Sequence, residues 1–71
     1  MYTMKDFNEK AVELEYASDC EIYDFEEHRI SIARDSANHR YYNVCVDGKT
    51  IATRAIRNNG VKFALKYLNE Q

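Results

Sequence analysis

Tyr41-Tyr42-Asn43-Val44-Cys45-Val46-Asp47-Gly48-Lys49-Thr50-Ile51-Ala52-Thr53-Arg54 reads as a β-hairpin. Asp-Gly suits a two-residue type I′ turn, because both central positions need positive φ. A turn there sets Val46 opposite Lys49, Val44 opposite Ile51 and Tyr42 opposite Thr53. One face then carries Tyr42, Val44, Val46 and Ile51; the other carries Tyr41, Asn43, Cys45, Thr50 and Arg54. A one-residue slip would exchange the faces, so this clean separation supports the register.

Working upstream, Ile30 and Ile32 alternate with Arg29, Ser31 and Ala33, which predicts another strand. Asp35-Ser36-Ala37-Asn38-His39 is turn chemistry. Closed as a loop over those residues, it sets Ile32 opposite Tyr42 and Ile30 opposite Val44, on the same apolar face. Ile22, Tyr23 and Phe25 also have strand character. Two arrangements fit them: a turn at Glu26-Glu27 that sets Phe25 beside His28, or one long strand over 20–34 with a bulge.

The flanks read as helices. Thr3 is an N-cap with Asp6 three residues on, as in a capping box. Met4, Phe7, Ala11 and Leu14 then follow helical spacing, which predicts a helix to about Ala17 with Asp6, Glu9 and Glu13 on its far side. Asn58-Asn59 offers a second N-cap, and Val61, Ala64, Leu65 and Leu68 form the stripe of a buried helix. Lys62 with Lys66, and Phe63 with Tyr67, lie on its far side. The expected fold is α+β: a single small domain over 1–71, helix, three- or four-stranded antiparallel meander, helix. Both helices sit on one face and bury Phe7, Leu14, Ile30, Ile32, Val44, Ile51, Leu65 and Leu68.

A chain of 71 residues, 45% hydrophobic and 13% aromatic, is expected to fold as one domain rather than stay disordered. No apolar run approaches the roughly 20 residues that cross a bilayer, and the first residues lack a signal peptide's apolar core. A cytoplasmic protein without membrane contact is expected. Cys20 and Cys45 then stay thiols and serve as small buried side chains.

Charge is divided unevenly. Residues 1–27 hold nine acids and two bases, a net −7, and residues 28–71 hold eight bases and three acids, a net +5. Such asymmetry hints at a charged interaction surface.

Residue types that carry chemistry are sparse. Cys20, His28, His39 and Cys45 stand eight, eleven and six residues apart. None of these spacings is the short one by which neighbouring ligands chelate a metal. A Cys45–His39 pair would place its thiol mid-strand, away from the exposed elbow or helix N-terminus that activates a nucleophile. There is no glycine-rich phosphate loop. We expect no enzyme, no metal and no cofactor.

Three surfaces remain. The acidic one, with Glu9, Glu13, Glu21, Asp24, Glu26 and Glu27 and with Tyr23 as anchor area, suits a basic, nucleic-acid-binding protein partner. A basic and aromatic one, with Tyr41, Arg54, Arg57, Lys62, Lys66 and Tyr67, offers nucleic-acid binding as the alternative, since cations hold phosphates and aromatic rings stack bases. The third is the reverse face of the sheet. A homodimer through that face or through Phe63 and Tyr67 suits a domain this small.

Two resemblances bear on these surfaces. In layout the chain is similar to the double-stranded-RNA-binding domain, which reads RNA with a basic cluster at the start of its final helix. The matching stretch is Arg57-Asn58-Asn59-Gly60-Val61-Lys62, with one Lys in the helix's first turn where the family places several. In format it resembles the small acidic proteins that bacteriophages and mobile elements encode against host defences, anti-CRISPR proteins among them: short, acidic, rich in tyrosine, without a catalytic motif. That resemblance implies an inhibitor in the host cytoplasm that binds a nuclease complex and blocks its nucleic-acid site or its rearrangement.

Overall fold

The Asp47-Gly48 turn forms, with φ of 53° and 84° at its two central residues. It belongs to a computed structural model that describes all residues, 1–71. Around it run α1 (Met4–Lys10), β1 (Val12–Tyr16), β2 (Cys20–Phe25), β3 (His28–Arg34), β4 (Tyr42–Val46), β5 (Lys49–Ala55), a 3-10 turn (Arg57–Asn59) and α2 (Gly60–Asn69). The strands form one antiparallel sheet in the order β1-β2-β3-β4-β5. The small α+β domain therefore has five strands rather than three or four, and a 3-10 turn comes between the last strand and the last helix.

The extra strand comes from the predicted first helix, which stops at Lys10 instead of running to Ala17. Thr3 and Asp6 do make the reciprocal capping box. At the other end Ala11 turns extended, with φ −69° and ψ 139°, while its N–H still closes on the Phe7 carbonyl. Val12-Glu13-Leu14-Glu15-Tyr16 alternates apolar and acidic residues, a period of two that a strand satisfies and a helix does not. Met4, Phe7, Ala11 and Leu14 thus match helical spacing by coincidence. Leu14, expected in the core, is exposed on β1, and of the four only Phe7 is buried.

The Cys20–Arg34 stretch is a hairpin, not one bulged strand. Phe25 pairs with His28 across a tight turn at Glu26-Glu27, where both residues have positive φ, 50° and 67°. Two other registers differ from expectation. β3 pairs Ile30 with Val46 and Ile32 with Val44, two residues from the predicted partners, because the connecting loop spans 35–41. An even shift preserves side-chain parity, so the same face is buried. In β4–β5, Val46 meets Lys49 as expected, but Val44 then meets Ala52 and Tyr42 meets Ala55. Irregularities along this pair take up the extra residues, and Arg54 adopts φ 59°. Ile51 is consequently only half-buried.

Tyr23, Phe25, Ile30, Ile32, Tyr42, Val44 and Val46 build the covered face of the sheet, in one core cluster with Phe7 of α1 and Ala64, Leu65 and Leu68 of α2. Phe7 meets Tyr23 edge-on at 5.0 Å between ring centroids and Phe25 at 5.5 Å. Asn69 holds the chain start to α2, accepting from the Tyr2 N–H at 2.7 Å and donating to the Tyr2 carbonyl at 2.9 Å. No helix is long and apolar enough to cross a membrane.

At its start α2 lies very close to the sheet. Asn59 occupies the N-cap without a side-chain cap bond, and Gly60 follows in ordinary helical geometry. A Cβ on Gly60 would fall 2.7 Å from Ile32 Cδ1 and 2.8 Å from Ile32 Cγ1, and Ile32 is itself fully enclosed. Glycine is needed here for space. Gly60→Ala gains up to about 1 kcal/mol of helix propensity, whereas overpacking a closed core costs roughly 1–3 kcal/mol. The substitution is expected to lower stability in urea unfolding, and adding Ile32→Val should recover part of the loss.

Candidate functional site

The two ends of the sheet differ in chemistry. At one end Glu21 is buried and accepts hydrogen bonds from the Tyr23 hydroxyl and from Arg57 Nε. The same guanidinium donates to the Ser18 carbonyl at 2.7 Å and to the Ala17 carbonyl, and lies 5.0 Å from the Tyr16 ring centroid. Arg34 donates to the Ser18 carbonyl at 3.2 Å and to the Tyr42 hydroxyl at 3.1 Å. The Glu21 carboxylate raises the Arg57 pKa further above its ordinary value. Burial, then the bond to Glu21, raises that of Tyr23.

At the other end lie the β2–β3 and β4–β5 turns, and Asp47 joins them. Its carboxylate accepts the Arg29 N–H at 2.8 Å and sits 2.6 Å from His28 Nδ1, while its own N–H donates to the Arg29 carbonyl at 2.8 Å. The His28 bond first, then the Arg29 N–H, holds the Asp47 pKa below the usual carboxylate value. Arg29 also pairs with Asp24 at 2.6 Å, and Lys10 comes within 3.8 Å of Glu26.

This geometry separates the predicted acidic residues. Glu21 is buried and paired with Arg57, and Tyr23 is buried against Phe7, so neither serves as an exposed contact. Asp24 is half-buried and paired with Arg29. Glu9, Glu13 and Glu27 are exposed and carry no ion pair, and Glu26 is exposed with only the long contact to Lys10. Glu15 is also exposed and without an ion pair, and escapes the sequence pattern because helical spacing puts it off the ridge of Asp6, Glu9 and Glu13. Reading Val12–Tyr16 with a period of two would have found it.

The basic set is dispersed instead of gathered along one edge. Arg57 has Nε and both terminal nitrogens engaged at the Glu21 end. Tyr67 is half-buried, with Lys49 Nζ 5.8 Å from its ring centroid on the β5 side of α2. Lys62 and Lys66 line a groove of about 430 Å³ on the other flank, with Met1, Tyr2, Met4 and Leu65. Arg54 is exposed on β5, and Tyr41 is half-buried just before β4.

Cys20 and Cys45 are free and half-buried on the face away from the helices. Burial, followed by Glu15, raises the Cys20 thiol pKa, which disfavours a nucleophilic thiolate. Cys20 lies in a second hollow of about 430 Å³ with Asp19, Arg34, Asp35, Ser36 and His39, and no three of these or the other potential ligands converge on a metal position.

No protein-family model, no curated protein and no solved structure matches the chain. The site therefore rests on its geometry.

Asp47 makes a prediction about pH. Its folded pKa lies below the ordinary 3.8, so its clamp stabilises the fold above about pH 4 and is lost as pH falls through the lower folded value. Asp47→Asn should flatten the acid limb of a melting-temperature profile below about pH 4, while wild type falls more steeply.

Proposed function

We propose that the chain is a non-enzymatic protein-binding module, acting in the cytoplasm, that meets a basic partner through an acidic side made by α1, β1 and the β2–β3 turn. Glu9, Glu13, Glu15, Glu26 and Glu27 belong to that side. The observation that carries the reading is the turn: Glu26 and Glu27 both hold positive φ, 50° and 67°. A left-handed conformation costs an L-residue roughly 1–2 kcal/mol, and only Gly, Asn and Asp adopt it readily. Adjacent like charges add repulsion. The single compensating pair, Lys10 with Glu26 at 3.8 Å, is exposed and such pairs contribute about 0–1 kcal/mol.

Stability alone would favour Asn-Gly at this turn. Two carboxylates on a short, hydrogen-bonded tip are well suited to binding cations, because little side-chain and backbone freedom remains to be lost. The anti-CRISPR-like format supports a nucleic-acid-binding complex as the partner class, with the carboxylates occupying a groove that otherwise takes phosphates. Long-range attraction to such a groove would speed encounter.

Glu26→Asn with Glu27→Gly separates stability from binding. Relief of about 1 kcal/mol of strain should raise the melting temperature by roughly 5 °C. The same variant should lose capture of the basic protein retained by wild type from nuclease-treated host lysate, and should no longer compete with nucleic acid for it. Full retention of capture would remove the β2–β3 turn from the contact, and retention also by Glu13→Lys with Glu15→Lys would reduce the acidic side to solubilising charge. Wild type is expected not to shift free RNA or DNA.

A further inference from the structure

β1 is an edge strand, paired only with β2. All five of its residues are exposed. Val12, Leu14 and Tyr16 are 58%, 48% and 65% exposed, a concentration of apolar surface with no counterpart in the other strands. Glu13 and Glu15 alternate with them, and neither has an ion-pair partner. An exposed edge offers unpaired main-chain donors and acceptors to any extended chain that can approach it.

We propose that this edge is where the partner joins the sheet, as an extended segment adding a sixth strand with Lys or Arg against Glu13 and Glu15. The inference rests on the acidic-side reading above and assigns its contact mode. The register of β1 supplies the pattern. Val12 pairs with Asp24 and Glu15 with Ile22, so both face away from the helices; Glu13 pairs with Tyr23 and Tyr16 with Glu21, so both face toward them. Each face of the edge thus presents one carboxylate and one apolar side chain, with Leu14 at the irregularity between Glu13 and Glu15. The complementary strand carries basic and apolar residues on both faces. Main-chain bonds supply affinity in such additions, and the side chains supply selectivity.

Charge excludes the nearest competitors. Two copies joined through β1 would crowd four carboxylates onto one seam, with no base in either strand to offset them. The opposite edge, β5, carries Lys49 and Arg54, so a basic segment is repelled there. The glutamates that set β1 against a second copy of itself are the features a basic strand can satisfy.

The probe is a capped octapeptide of sequence Lys-Lys-Val-Val-Lys-Lys-Val-Val, which as a strand carries Lys and Val on both faces, titrated into ¹⁵N-labelled full-length protein, with its Glu/Val counterpart as control. The expected result is amide shifts and slowed hydrogen exchange concentrated at Val12–Tyr16, with no response to the Glu/Val peptide. Glu13→Lys with Glu15→Lys, checked for an unchanged circular-dichroism spectrum, should weaken binding at least tenfold. Shifts confined to Glu26 and Glu27 would overturn the strand-addition mode and leave the acidic-side reading standing. Absence of binding to the Lys/Val peptide at millimolar concentration would overturn both. Shifts spread evenly over all acidic residues, or concentration-dependent self-association through β1 without peptide, would also overturn the proposal.

Discussion

The pairing of Arg57 with buried Glu21 is the contact on which the acidic side depends. β1 has no buried side chain of its own. Apolar burial, which holds β3, β4 and α2 together, therefore gives it little. Besides its ladder with β2, it is held through the Arg57 bonds to the Ala17 and Ser18 carbonyls and the Arg57 stack on Tyr16, with Arg34 adding a bond to Ser18. One guanidinium thus reaches from the 3-10 turn before α2 back across the sheet to the β1–β2 turn. Arginine suits this position because its planar fork can satisfy a carboxylate and two carbonyls at once, which a lysine ammonium cannot do in the same geometry.

That pairing also explains the charge division along the chain. A net −7 beside a net +5 suggests two opposed surfaces, yet the fold joins Arg57 to Glu21, Arg29 to Asp24 and Lys10 to Glu26. Internal neutralisation removes Arg57 from any nucleic-acid surface and Glu21 from any protein surface. Of the acids left without an ion pair, Glu9, Glu13, Glu15 and Glu27 lie along α1, β1 and the β2–β3 turn. The same contact that stabilises the edge strand thereby leaves Glu13 and Glu15 exposed to a partner.

Much of the central architecture is legible from local residues. Asp47-Gly48 marks its turn, alternation in Ile30–Ile32 and Tyr42–Val46 marks the buried face, and Val61, Ala64, Leu65 and Leu68 mark α2. The parts that escape reading depend on information that is not local. Met4, Phe7, Ala11 and Leu14 keep helical spacing across a helix–strand junction, so β1 is hidden inside an apparent helix. Glu-Glu carries no turn propensity, and only the pairing of Phe25 with His28 across it reveals the turn. Arg57 and Glu21 lie 36 residues apart, and sequence pattern sends them to rival surfaces because nothing in their neighbourhoods connects them. The acids around Tyr23 point to the acidic surface, whereas strand alternation puts it beside Phe25 in the core.

The central claim is that Arg57, more than side-chain burial, keeps the acidic edge strand on the sheet. Native-state hydrogen exchange on Arg57→Gln tests it most directly, because it resolves local opening from global unfolding. The account predicts that amides of Val12–Tyr16 and of the β1–β2 turn exchange at least about tenfold faster than in wild type, while those of Ile30, Ile32 and Val44 keep their protection. Unchanged protection across Val12–Tyr16, or an equal loss over the whole sheet, would contradict it.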